Sequence, residues 1–131
     1  MKEVLDFLKT NKVFYLATTD GSQPHVRPLG FVMDYDGKLA FCTSNQKAMC
    51  KQLAAKPNVE VCCIDANCNT LRIHGKAVFC TTAETQQKAL EVMPALSNLY
   101  TVGDGKFEIF YLTDARAIRQ TMSGEKQVLK V

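Results

Sequence analysis

Strand-length apolar runs in this chain follow one another across turns too short to hold a crossover helix. That ordering restricts the fold more than any other feature, because parallel neighbours need a connection of a dozen or more residues and antiparallel ones only a hairpin. Val13 to Thr18 reads as a first strand, almost wholly apolar and therefore expected to be buried on both faces. Asp20-Gly21-Ser22 turns the chain into a second strand over residues 24 to 34. Asp34-Tyr35-Asp36-Gly37 closes a hairpin, with Asp-Gly as the tight turn, and Lys38 to Thr43 returns. Further strands are expected at Val59 to Ile64, Thr70 to Thr81, Phe107 to Leu112 and Arg116 to Met122. The tail from Ser123 is short enough to pair at an edge.

Helical spacing enters at three points. Val4, Leu5 and Leu8 give residues 2 to 10 one apolar face, and Met49 and Leu53 do the same from about Gln46 to Ala55, where Pro57 forces a stop. A third helix is expected over roughly 83 to 93, with Thr81 and Glu84 as its capping box and Pro94 interrupting it. The pattern is mainly β with added helices, an antiparallel barrel or sandwich read as one domain over residues 1–131. No Gly-x-Gly-x-x-Gly run follows a strand, which argues against a doubly wound sheet.

The most unusual local chemistry lies between Pro24 and Lys56. In the second strand, alternation places His25, Arg27, Leu29, Phe31 and Met33 on one side and Val26, Pro28, Gly30 and Val32 on the other. Pro28 cannot donate to a ladder and Gly30 has no side chain, a pairing that marks an edge, a bulge or a close approach of a ligand to the backbone. Further on, Ser44 stands where a helix N-cap would stand, and Lys47 falls in the expected first turn, where the helix already carries partial positive charge. Lys51 and Lys56 follow, yet no Asp or Glu occurs between Asp20 and Asp34 or between Asp36 and Glu60. Cations, free backbone N–H groups and a hydroxyl thus converge without an internal acid, and an external phosphate at the helix start resolves the imbalance. The plainer alternative is that Lys47 points to solvent on an ordinary basic helix face.

Composition excludes several classes. A charged share of 22% and an apolar share of 47% are those of a soluble globular protein. The net charge of +3 is too mild for a general nucleic-acid binder, and Trp, the strongest base-stacking side chain, is missing. No apolar run is long enough to span a membrane, and the charged, amphipathic N-terminus is not expected to be a signal peptide. The six cysteines show no two-residue gap of the kind used by zinc or redox motifs. They read as small hydrophobes in a reducing cytoplasm, with only Cys68 expected in an exposed loop. His25 and His74 are read as strand residues with solvent-facing rings; with no Cys or carboxylate at ligand spacing, a metal site is not expected and haem stays as the rare alternative ligand. Arg72, His74 and Lys76 share one strand face, expected to be solvated.

Taken in order, Pro24-His25-Val26-Arg27-Pro28-Leu29-Gly30-Phe31, Asp36-Gly37-Lys38-Leu39-Ala40-Phe41-Cys42-Thr43-Ser44, Lys47 and Pro57-Asn58-Val59-Glu60-Val61 resemble the pyridoxamine 5'-phosphate oxidase-like, FMN-binding split-barrel superfamily. The nearest branch is the small nitroimidazole-reductase-like (Nim-type) flavoproteins. Leu71 to Ala77 and Phe107 to Leu112 extend the likeness over most of the chain. The resemblance implies a six- to seven-stranded split β-barrel with flanking helices, a homodimer, and FMN in the dimer interface. By position, Arg27 and Lys47 would contact the phosphate, with Ser44, Asn45 and Gln46 near it. The backbone of Pro28, Leu29 and Gly30 would lie along the isoalloxazine ring, and Cys42 and Thr43 sit on the next flavin-contacting strand. Tyr100, Phe107 and Tyr111 are candidates for stacking on the flavin from the partner subunit, with core packing the plainer reading. A C-terminal Arg and His grip for pyridoxal phosphate has no counterpart here, which argues against oxidation of pyridoxamine phosphate. The function implied is reduction of a small electrophile such as a nitro-aromatic or quinone, with a non-catalytic flavin carrier or sensor as the alternative.

Overall fold

The computed structural model describes residues 1–131. Its eight strands form one antiparallel sheet: β1 (Phe14–Asp20), β2 (Gln23–Leu29), β3 (Met33–Tyr35), β4 (Lys38–Ser44), β5 (Asn58–Ile64), β6 (Thr70–Phe79), β7 (Phe107–Gln120) and β8 (Lys126–Leu129). The order across the sheet is β2-β1-β5-β6-β7-β4-β3, with β8 also on β7. The sheet curls without closing, so β2 at one end and β4 with β3 at the other leave a split. Helices α1 (Lys2–Asn11), α2 (Ala48–Ala55) and α3 (Ala83–Val92) flank it, and a 3-10 turn at Pro94–Asn98 extends α3. This is the expected split barrel with flanking helices.

Two apolar clusters hold the curl. The larger joins Val4 and Leu8 of α1 and Met49 and Leu53 of α2 to Phe14, Leu16, Phe41, Val61, Leu71, Ile73 and Phe110 of the sheet. Phe41 bridges it, edge-on to Phe14 at 5.7 Å and stacked on Phe110 at 5.5 Å. The smaller cluster packs Phe31, Met33, Tyr100, Phe107 and Ile109 around Ala89 of α3, with Tyr100 stacked on Phe107 at 4.4 Å. Phe107 is therefore a core residue, while Tyr111 lies half-buried under Lys38.

Several local expectations are corrected. β1 is not buried on both faces: Phe14, Leu16 and Thr18 face the core while Tyr15 is 46% exposed, because the outer side of the sheet is covered by α3 only at the β7 and β4 end. The second strand breaks after Leu29, and Phe31, Val32 and Met33 all turn inward instead of alternating. Pro28 is tolerated because β2 is an edge paired only with β1. The two strands expected at the C-terminal end are one 14-residue strand, β7. Its register against β6 shifts between His74 and Lys76, and Asp114 takes a positive φ of 52° to absorb the bulge. Gly75 sits at the shift because a Cβ there would lie 3.1 Å from Leu112 Cβ. The tail pairs as an edge strand, β8, as expected.

Helix starts also move. The capping box of α3 is Thr82 with Thr85, one residue beyond the expected pair. Thr81 is engaged elsewhere: its hydroxyl donates to Glu108 Oε2 at 2.7 Å and accepts from Ile109 N–H. Ser44 does not cap α2, since it is still paired with Phe107 in β4. Its hydroxyl accepts from Gln46 N–H at 3.2 Å and its carbonyl from Lys47 N–H, so a turn separates strand from helix. Lys47 becomes the N-cap, in extended conformation and with no side-chain cap bond. Arg72, His74 and Lys76 are exposed on the outer sheet face, where His74 Nε2 lies 2.8 Å from Glu60 Oε1.

Candidate functional site

The split between the sheet ends is a cleft of about 240 Å3. Its walls are Pro28, Leu29, Gly30 and Phe31 at the end of β2, Cys42 and Thr43 on β4, Lys47 at the start of α2, and Met93, Leu96, Leu99 and Tyr100 beyond α3. Six of the ten residues singled out from the sequence thus face one space: Pro28, Leu29, Gly30, Cys42, Thr43 and Lys47. Both strand walls present backbone with free hydrogen-bonding capacity, since β2 pairs only with β1 and β4 has no second strand partner beyond Ala40. The sequence reading singled out Tyr100 but missed Met93, Leu96 and Leu99. Their signal was a proline-broken helix end followed by Leu96, Leu99 and Tyr100 at spacing that fits a short apolar lid.

Electrostatics in the cleft are one-sided. Lys47 is the only charged residue lining it, and no carboxylate does. The Thr43 hydroxyl is buried without any hydrogen-bond partner, an arrangement that costs about 1–3 kcal/mol unless something polar meets it. Burial pushes the Cys42 thiol up to about 12, against the opposing pull of Lys47, so it stays protonated and acts as a small apolar surface.

The other four residues lie outside the lining. Ser44, Asn45 and Gln46 make the turn into α2, and Asn45 is tied down by its own N–H to Lys106 C=O and its side-chain amide to Gly105 C=O. Arg27 extends from the inner side of β2, directly opposite Leu16 on β1. Its Nη1 donates to Thr18 Oγ1 at 2.7 Å and to Leu16 C=O at 3.3 Å, and its Nη2 to Gln52 Oε1 at 2.8 Å. Thr18 in turn donates to the same Gln52 oxygen at 2.5 Å. Arg27 is therefore clamped to the helix that Lys47 begins, through a buried glutamine the sequence gave no reason to single out. The clamp contains no acid, and burial pulls the guanidinium below the ordinary arginine value while leaving it a cation. Not all five guanidinium N–H donors are taken up by these contacts.

The family model described as pyridoxamine 5'-phosphate oxidase matches residues 1–122, and the chain belongs to that family. A NimC/NimA family protein from Clostridium acetobutylicum is 37% identical, with 100% of this chain and 92% of that one covered and a TM-score of 0.95. Two more distant structures share the fold. One is a pyridoxamine 5'-phosphate oxidase-related, FMN binding protein from Nostoc punctiforme, 14% identical over 99% of this chain and 96% of that one, TM-score 0.65. The other is a heme binding protein from Mycobacterium smegmatis, 17% identical over 98% of this chain and 56% of that one, TM-score 0.76. No curated protein matches the chain.

Proposed function

We propose that the cleft between β2 and β4 binds FMN and that the protein is a flavin-dependent reductase of a small electrophile, such as a nitro-aromatic or a quinone. The observation that carries this reading is the convergence of Pro28, Leu29, Gly30, Cys42, Thr43 and Lys47 on one acid-free cleft whose one charged residue is a cation. The residues present fit the cofactor. Lys47 and the first N–H groups of α2 would hold the phosphate, with Arg27 beside them, already fixed by Thr18 and Gln52. Ser44, Asn45 and Gln46 shape the turn that aims those N–H groups. Backbone from Pro28 to Gly30 would run along the ring, and the unpaired backbone edge at Cys42 and Thr43 would face it from β4. Met93, Leu96, Leu99 and Tyr100 exclude water from the same space. When bound, the flavin supplies electron transfer to a molecule laid against its ring.

The reading includes a homodimer with FMN at its interface, built on the outer sheet face of β1 and β2, with residues 1–131 acting as one domain. Tyr15 and Val26, 46% and 69% exposed on the neighbouring strands β1 and β2, are the apolar surface such an interface would cover. Sedimentation should give a dimer, and Val26→Lys should give a monomer with weakened flavin retention.

The deciding experiment is the visible spectrum of the purified protein, followed by FMN titration. Flavin bands, or quenching of added FMN, support the reading, whereas a colourless protein that neither quenches FMN nor gains thermal stability from it ends it. Oxidation of NADH or NADPH with a nitro-aromatic or quinone acceptor separates a reductase from an electron carrier or sensor.

A further inference from the structure

Behind the wall made by Gly30 and Met93 lies a second cavity of about 440 Å3, lined by Lys9, Lys12, Gly30, Val32, Val92 and Met93. Gly30 and Met93 also line the flavin cleft, so the two spaces are neighbours across a thin partition. The floor is apolar: Val32 is buried and Val92 is 42% exposed. The charged groups on the walls are both cations. Lys9 lies in the last turn of α1 and Lys12 follows it as the C-cap, its backbone N–H bonded to Leu8 C=O. Neither lysine takes part in any of the ion pairs, and no carboxylate lines the cavity. Cations at a helix C-terminus are favourable by themselves, which accounts for their presence on α1. It does not account for an apolar floor of ligand-site volume facing two cations and no acid.

We propose that this cavity binds the acid end of a small apolar carboxylate, and that molecules of this class are the substrates presented to the adjacent cleft. The two ammonium groups pair with the carboxylate, while Val32, Val92 and Met93 cover its hydrocarbon or aryl body. Gly30, which lines both spaces, contributes backbone alone to the wall between them. The substrate role rests on the flavin reading above; the binding site does not.

The probes are benzoate and its neutral counterpart benzamide, titrated at low salt into the 15N-labelled protein as purified and again after FMN loading. Benzoate should bind at least five-fold more tightly than benzamide, moving the amide signals of Val32, Val92 and Met93. A Lys9→Gln, Lys12→Asn variant should lose that preference while holding FMN as before. Asn is chosen because it tolerates the positive φ of 68° at position 12. Circular dichroism and an unchanged FMN affinity serve as the folding controls. Equal binding of both probes, no binding of either, or shifts confined to other parts of the molecule would overturn the proposal, as would an unaltered preference in the double variant. Lysine-dependent benzoate binding in a protein that does not take up FMN would keep this site and remove only the flavin reading.

Discussion

Replacing Gln52 by Glu puts one negative charge into the acid-free cluster while leaving its shape nearly intact. Gln52 is buried, and its Oε1 accepts from Arg27 Nη2 at 2.8 Å and from Thr18 Oγ1 at 2.5 Å. A carboxylate oxygen accepts the same two bonds, and the contact with Arg27 becomes charge-assisted. The apo protein should therefore keep its stability or gain up to about 1 kcal/mol, a small figure because Arg27 is only half-buried and water screens the pair. FMN binding moves the opposite way. Gln52 lies five residues past the helix start at Lys47, about 7 Å along the axis at roughly 1.5 Å per residue. A charge held at the start would be opposed over that distance, at an effective dielectric of roughly 40 to 80, by about 0.6 to 1.2 kcal/mol per charge. For a dianionic phosphate that is about 1 to 2 kcal/mol, roughly a five- to thirty-fold weaker Kd. Fluorescence quenching of FMN at low salt measures the Kd, and urea unfolding of the apo protein measures the stability. An FMN affinity within two-fold of the parent, or an apo protein less stable by more than about 1 kcal/mol, would refute the reasoning.

Three further outcomes follow from the same geometry. Thr43→Val removes a buried hydroxyl with no partner, so the apo protein should become more stable by about 1 kcal/mol in urea unfolding while flavin affinity is unchanged. Lys47→Ala should weaken FMN binding about ten-fold and change apo stability by less than about 0.5 kcal/mol, since Lys47 is exposed and its side chain makes no cap bond. The side-chain hydrogen bond from Asn69, then the backbone N–H groups of Asn69 and Asn67, hold the Asp65 carboxyl below its ordinary value. The loop from Asp65 to Asn69 should therefore be fully ordered above the ordinary aspartate range near pH 4 and loosen as pH falls through the lower folded value, read by amide exchange at Cys68 and Asn69.

The β-rich order of the fold was legible because each strand announces itself by apolar runs and turn residues, as in Asp34-Tyr35-Asp36-Gly37. Residues of the cleft were legible in part, because a proline and glycine in one strand and an acid-free run of cations in the next segment have few ordinary explanations. What escaped was set by tertiary context. Thr113-Asp114-Ala115 reads locally as a break, yet one residue at positive φ lets β7 continue through a bulge. Ser44 has the chemistry of an N-cap but is held in β4 by its pairing with Phe107, which delays α2 to Ala48. Val13 to Thr18 looks two-sided because an apolar strand residue such as Tyr15 reads the same in sequence whether or not another element covers it. Gln52 carried no signal at all, since its role depends on Arg27 and Thr18 reaching it from two other strands.

The central claim is that the start of α2, with Lys47 and the clamped Arg27, is a cradle for a nucleotide's phosphate. Titrating the apo protein with FMN and with riboflavin, at low and at high salt, tests it most directly, since the two ligands differ only in that group. The account predicts FMN binding at least a hundred-fold tighter, with the gap narrowing as salt rises. Equal affinity for the two flavins, or a gap indifferent to salt, contradicts it.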